Sequence, residues 1–150
     1  MDVEKIVREY INKTVHMSLA TVKDNKPWVC EVHFAYDDDL NLYFVSKQST
    51  RHCQEIALNS AVAGNIVRTH ELSELPHGIY FEGTAQMLAS ASDQEVKRYC
   101  DRMERNSDEV SKQLKEDGGR RMYKITVKNW AAFGKFDGEI LQKYELEWNK

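Results

Sequence analysis

This sequence has few of the features that mark membrane, secreted or nucleic-acid-binding proteins. No apolar run approaches the roughly 18–20 residues of a membrane-spanning helix. The charged start MDVEKIVREYINK lacks the apolar stretch of a secretory signal. The net charge of −3 provides no basic surplus for nucleic-acid phosphates. These absences predict a cytoplasmic protein that binds neither membranes nor nucleic acid.

Cysteine is also scarce, and its spacing excludes a local metal site. The three cysteines, Cys30, Cys53 and Cys100, are widely separated and form no C-x-x-C pair. We expect them to be small buried side chains in a reduced cytoplasmic protein. No repeat, linker or low-complexity segment divides the 150 residues, so the sequence predicts one domain over residues 1–150.

The sequence does have the two-residue alternation of β-strands. In WVCEVHFAY, residues 28–36, the even-numbered side chains share one face, and Glu31 and His33 lie on the other. Further strands are predicted at residues 15–22, 42–46, 61–67, 78–88, 121–133 and 139–148. Gly64 marks a bulge or a close backbone approach. Strands this close in sequence favour antiparallel hairpins.

Helical periodicity interrupts these strands. The clearest signal is SDQE at residues 92–95, a capping box followed by apolar residues at helical spacing. Further helices are predicted at residues 2–13, 50–59 and 107–117. In the helix at 50–59 we expect Cys53, Ile56 and Ala57 to be buried. Six or seven antiparallel strands with peripheral helices predict a mainly β protein, a small barrel that leaves few open edges.

Two basic residues stand where a helix start disfavours them. Arg51 and His52 follow the hydroxyls of Ser49 and Thr50, at the end of a helix that carries partial positive charge. A bound phosphate would reconcile this arrangement, because backbone N–H groups, hydroxyls and both bases could converge on one anion. The alternative is a solvated helix start at which Arg51 pairs with Glu55 or a neighbouring acid.

The wider sequence resembles a known family. The segment from SLATV (18–22) to AVAGNI (61–66), with LYFVS before TRH, is similar to the FMN-binding split barrels related to pyridoxamine 5′-phosphate oxidase. The similarity continues through HGIYFEGTAQML and covers roughly residues 15–90. It implies an antiparallel split β-barrel that forms a homodimer, with flavin mononucleotide (FMN) in a groove between the subunits.

The resemblance also implies which residues contact the cofactor. The phosphate-binding positions of the family fall on Thr50, Arg51 and His52, and Ser46 and Lys47 end the preceding strand beside the cofactor. With Ser49 from the helix start, the predicted cofactor-binding residues are Ser46, Lys47, Ser49, Thr50, Arg51 and His52.

Several departures argue against pyridoxamine phosphate oxidase activity itself. The second strand offers only Glu31 and His33 where the oxidases have basic residues, and Gly78 stands where they have a glutamine near the flavin ring. The end of the chain also lacks their Arg- and His-bearing pattern. Glu31 and His33 could face a ligand, or they could form the solvent face of a barrel strand.

Three functions therefore remain open from the sequence. The first is an FMN-dependent oxidoreductase acting on an unidentified small molecule, in which no side chain needs to be an acid–base catalyst. The second is a non-enzymatic protein that stores or senses a flavin, a related cofactor or haem. The third is a dimeric scaffold without a cofactor.

Overall fold

The computed structural model describes residues 2–136 and 141–149. Within these ranges it contains eight strands and four helices, in this order: α1 (Val3–Lys13), β1 (His16–Lys23), β2 (Lys26–His33), β3 (Ala35–Tyr36), β4 (Leu42–Lys47), α2 (Arg51–Leu58), β5 (Ala61–Ile66), β6 (Gly78–Leu88), α3 (Asp93–Met103), α4 (Ser107–Gln113), β7 (Arg120–Gly134) and β8 (Gln142–Glu147). Residues 139–140 of the last predicted strand lie outside the described residues.

The strands form one antiparallel sheet in the order β2-β1-β5-β6-β7-β4-β3, and β8 pairs with β7. This is the predicted mainly β architecture with peripheral helices. The described residues contain eight strands instead of six or seven, because the predicted strand at 28–36 breaks at Phe34. The Phe34 side chain is fully buried, and Ala35 beyond the break is buried in a second core instead of lying on the outer face.

Two apolar cores hold the fold together. The larger core fills the sheet's interior and includes Phe44, Ile125 and Trp130, while the smaller core lies beneath α3 and α4. Burying one large apolar side chain contributes about 1.5–3 kcal/mol. Cys53 and Cys100 are buried as predicted, and Cys30 is half-buried.

The helix starts agree closely with the sequence. Ser92 and Glu95 form the predicted capping box of α3, and the Asp2 carboxylate accepts a hydrogen bond from the Lys5 N–H at the start of α1. Two predictions were wrong in detail. Ala57 is exposed on α2, and α4 ends at Gln113 because the next residues tighten into turns with i→i+3 hydrogen bonds. No helix among the described residues has the length and apolar character needed to cross a membrane.

The structure confirms the predicted close backbone approach at Gly64. A Cβ atom at this position would overlap the Ser18 carbonyl oxygen and the Phe81 ring. The irregularity in pairing lies instead between Glu82 and Gly83, opposite β7. Glycine is therefore required at position 64 to let β5 lie between β1 and β6 above a packed aromatic ring.

Candidate functional site

The predicted site lies where β4 ends and α2 begins. Residues 48–50 make the turn, and both the N–H and the hydroxyl of Thr50 donate to the Lys47 carbonyl oxygen, at 3.1 and 2.8 Å. The Thr50 hydroxyl therefore does not cap α2, and no side-chain cap is seen among the described residues. Within that part of the chain the first-turn N–H groups of this helix have no side-chain acceptor, which leaves its positive end open to an anion.

Arg51 lies at the rim of this helix start. Its Nε donates to the Glu55 carboxylate at 2.8 Å, and its guanidinium carbon lies 4.3 Å from the centre of the Trp28 ring. The Arg51 side chain keeps 47% of its surface exposed. The pairing with Glu55 is the alternative that the sequence left open, but it occupies Nε and not the two terminal amino groups.

Glu55 is a buried acid directly beneath this guanidinium. Only 5% of the residue is exposed, and the Thr21 hydroxyl donates to its second carboxylate oxygen at 2.8 Å. Hydrogen bonds from Arg51 and then from Thr21 hold the pKa of Glu55 below its usual value. The carboxylate is therefore ionised near neutral pH, and it neutralises part of the charge that Arg51 brings to the site.

His52 points inward, unlike Arg51. It is buried, its Nε2 lies 2.9 Å from the Ser46 hydroxyl oxygen, and its ring lies 6.0 Å from the Phe44 ring. Burial lowers the pKa of His52, so the imidazole is neutral near pH 7. The two bases therefore do not converge as cations, and His52 supports the turn through Ser46.

The other predicted residues divide by exposure. Lys47 and Ser49 are exposed beside the helix start, Thr50 is half-buried, and Ser46 is buried. The structure thus brings five of the six predicted residues around one helix end, while the His52 imidazole faces the interior.

Two further residues, Trp28 and Thr21, belong to this site and were not predicted from the sequence. The burial of Glu55 was not predicted either. Trp28 lies on β2 and is 41% exposed, so it is not part of the core. The alternation of residues 28–36 puts Trp28 on the strand face that it shares with the half-buried Cys30 and Val32, but the position of α2 against that strand could not be inferred.

Gly78 lies at the start of β6, packed against Val67. A Cβ atom there would lie 2.8 Å from Val67 Cγ1. A glutamine at position 78 could enter only if the Val67 side chain moved. Because Val67 is 49% exposed, its side chain has room to make this movement.

Comparison with known proteins assigns the fold to a family. The family model described as Pyridoxamine 5′-phosphate oxidase matches residues 3–134. This chain belongs to that family. The resemblance seen over residues 15–90 is confirmed, and it extends over most of the chain of this oxidase-family protein.

Relatives and structural neighbours of this family member are distant. A UPF0306 protein of Pasteurella multocida is 27% identical over 94 residues, which are 62% of this chain and 63% of the relative. The chain therefore covers less than two thirds of that relative's length.

Solved structures share its split-barrel fold at low sequence identity. HutZ, the heme storage protein of Vibrio cholerae, has a TM-score of 0.68 and 16% identity, over 85% of this chain and 91% of HutZ. General Stress Protein 26 of Bacillus anthracis has a TM-score of 0.70 and 18% identity, over 98% and 99% of the two chains. At these identities the likeness establishes the fold alone.

Proposed function

We propose that this protein is a cytoplasmic FMN-binding oxidoreductase that works as a homodimer, with the FMN phosphate at the start of α2. The observation that carries the proposal is the uncapped N-terminus of α2 beside the half-exposed Arg51. Backbone N–H groups at a helix start and an arginine fork are a suitable combination for a phosphate group. When bound, the flavin ring would supply hydride or electron transfer.

Each residue of the site has a separate part in holding the phosphate. The terminal amino groups of Arg51 would donate to it while Glu55 holds Nε and fixes the direction of the guanidinium. Lys47 would add positive charge from the end of β4, and the Ser49 hydroxyl would donate from the turn. The neutral His52 would keep Ser46 and the turn in place.

The substrate we propose is a small molecule other than pyridoxamine phosphate. At the positions of β2 where the oxidases have basic residues, this chain has the exposed Glu31 and His33, and neither is a lysine or arginine that could make a second phosphate contact. Gly78 supplies no side-chain amide at the position where the oxidases have a glutamine. Phosphate binding would therefore rest mainly on α2 and Arg51.

A second candidate is a non-enzymatic protein that stores or senses a flavin, a related cofactor or haem. The observation that favours it is the buried Glu55 carboxylate, which lowers the net positive charge that a phosphate would meet. A structural neighbour described as a heme storage protein supports including haem among the ligands tested.

The deciding experiment is a comparison of FMN with riboflavin, which has the same ring system but no phosphate. We expect Arg51→Ala to weaken FMN binding by about 1.5–3 kcal/mol, the scale of a hydrogen bond to a charged group. Riboflavin binding should change little. Titration of cofactor-free protein, followed by flavin fluorescence, measures both affinities.

Arg105→Ala is the matched control, because Arg105 is exposed and lies on the segment between α3 and α4. Equal losses for FMN and riboflavin in the Arg51 variant would place the phosphate elsewhere.

Failure of the wild-type protein to take up FMN, together with a Soret band on adding haem, would favour the second candidate. Bleaching of bound FMN by NADH or NADPH and its recovery in air would distinguish an enzyme from a passive binder.

A further inference from the structure

Two histidines face each other across the first hairpin. In the pairing of β1 with β2, His16 lies opposite His33. In the next pair along the two strands, the Phe34 N–H donates to the Val15 carbonyl oxygen at 3.1 Å. Val15 and Phe34 therefore form a hydrogen-bonded pair, and such pairs alternate with non-hydrogen-bonded pairs along an antiparallel ladder. His16 and His33 are therefore a non-hydrogen-bonded pair, the arrangement in which opposite Cα atoms are about 4.5 Å apart and side chains approach most closely.

Glu31 fixes the His16 ring on this exposed face. One carboxylate oxygen lies 2.8 Å from His16 Nδ1, and the Ser18 hydroxyl donates to the other oxygen. An ionised carboxylate only accepts hydrogen bonds, so Nδ1 of His16 carries the proton. In the neutral imidazole, the lone pair is then on Nε2, which has no partner among the described residues.

His33 completes the pair with a second available imidazole. Its side chain is exposed and makes no hydrogen bond or ion pair with another described residue. The side chains of His16 and Glu31 are also more than half exposed, at 57% and 56%. An ion from solvent can therefore reach both rings without any rearrangement of the core.

We propose that His16 and His33 bind a divalent transition-metal ion, Zn²⁺ or Cu²⁺, with Glu31 orienting the His16 ring. Imidazole nitrogen is a preferred ligand of both ions. A carboxylate on the far nitrogen of a metal-bound histidine is the usual supporting arrangement. This site uses the outer face of β1 and β2 and shares no residue with the start of α2.

The site has two protein ligands, which determines its expected strength. Among the described residues, no group of three or more His, Cys, Asp or Glu side chains is placed to hold a metal ion. Water would fill the remaining coordination positions, so the ion exchanges more readily than in a four-ligand structural zinc site.

Isothermal titration of the metal-stripped full chain with Zn²⁺ and Cu²⁺ tests the proposal. We expect one ion per chain and no binding of Mg²⁺, which prefers oxygen ligands. His33→Gln should abolish saturable binding, and Glu31→Gln should weaken it about 10–100-fold while leaving one ion per chain. Zn²⁺ should raise the melting temperature of the wild-type chain but not of His33→Gln, because the ion joins two strands only when folded.

His70→Gln is the matched control, since His70 is exposed on the loop before β6, and its ring lies 5.6 Å from that of His77. Its binding should equal that of the wild type. No saturable binding by the wild type would overturn the proposal, as would undiminished binding by His33→Gln or loss of binding in His70→Gln. None of these outcomes affects the comparison of FMN with riboflavin.

Discussion

At the scale of single residues, Asp37 organises the turn between β3 and β4. Its Oδ1 accepts from the backbone N–H groups of Asp39 and Asn41, at 3.0 and 2.9 Å. Its Oδ2 accepts from the Asn41 side-chain amide and from the Tyr43 hydroxyl, both at 2.9 Å. One carboxylate thus satisfies four donors and links the turn to the smaller core through Tyr43.

We expect Asp37→Asn to destabilise the fold by about 1.5–3 kcal/mol, because one charged acceptor becomes an amide donor facing other donors. Burial alone would raise the pKa of Asp37, but hydrogen bonds from Asn41 and Tyr43 outweigh it and lower the pKa. The stabilisation is therefore complete above the pKa of an unfolded aspartate and is lost as the pH falls through the lower folded value.

Urea unfolding of both chains between pH 7 and pH 2 measures this effect. Asp38→Asn is the control, because that side chain is exposed next to the same turn. The difference in unfolding free energy between wild type and Asp37→Asn should shrink as the pH falls. A constant difference across this range would show that the ionised carboxylate is not the cause.

At the scale of secondary-structure elements, Arg102 connects α3 to α1 and the start of β3. Its Nε donates to the Phe34 carbonyl oxygen at 2.9 Å. Its Nη2 donates to the carbonyl oxygens of Ile11 and Thr14. The guanidinium also lies 4.8 Å from the centre of the Tyr36 ring. One side chain therefore satisfies carbonyls at the end of α1 and at the break between β2 and β3.

We expect Arg102→Lys to cost about 1.5–3 kcal/mol, because a single ammonium cannot reach all three carbonyls in the geometry of the planar fork. Chemical denaturation of the variant against the wild type measures the loss. Arg105→Lys should change the unfolding free energy by no more than about 0.5 kcal/mol, as for other exposed substitutions. Equal stability of Arg102→Lys and wild type would show that these hydrogen bonds are not specific to arginine.

Elements that depend on local sequence were the predictable ones. The capping box of α3 needs only residues 92–95, and β6 was predicted with its observed bounds from alternation alone. The four-residue spacing within α2 also indicates the Arg51–Glu55 ion pair, which the sequence offered as the alternative to a bound phosphate. The burial of Glu55 could not be predicted, because it depends on Thr21 from a strand thirty-four residues earlier.

At the scale of the whole molecule, strand register creates features that no single segment contains. The sequence identifies Glu31 and His33 on one strand face, but only the pairing with β1 brings His16 and Ser18 against them. The inward direction of His52 likewise depends on the position of α2, which places this side chain against Ser46 and Phe44 of β4. Fold class follows from periodicity and family resemblance, whereas the geometry of a site requires the relative positions of its elements.

The outer face of the central strands suits the proposed homodimer. In the sheet, Ala63 lies between Ala20 of β1 and Glu82 of β6, and Ala131 of β7 lies beside Tyr80. Small side chains in this register line a concave surface bordered by Lys143 and Glu145 of β8, which a second copy could enter. Tyr80 is 37% exposed there and offers a large apolar contact surface at low conformational cost.

We therefore expect Ala63→Arg to convert the homodimer to a monomer, because a long cation would stand in the centre of the contact between two copies. Ala63 is exposed, so the substitution should leave the stability of the isolated chain nearly unchanged. Light scattering should give twice the 17.5 kDa chain mass for the wild type and one chain mass for the variant. FMN affinity should fall with the loss of the dimer, since the proposed groove lies between subunits.

The control is Ala89→Arg, an exposed change outside the strands, which should leave the protein dimeric. A dimeric Ala63→Arg with unchanged FMN affinity would place the interface on another surface.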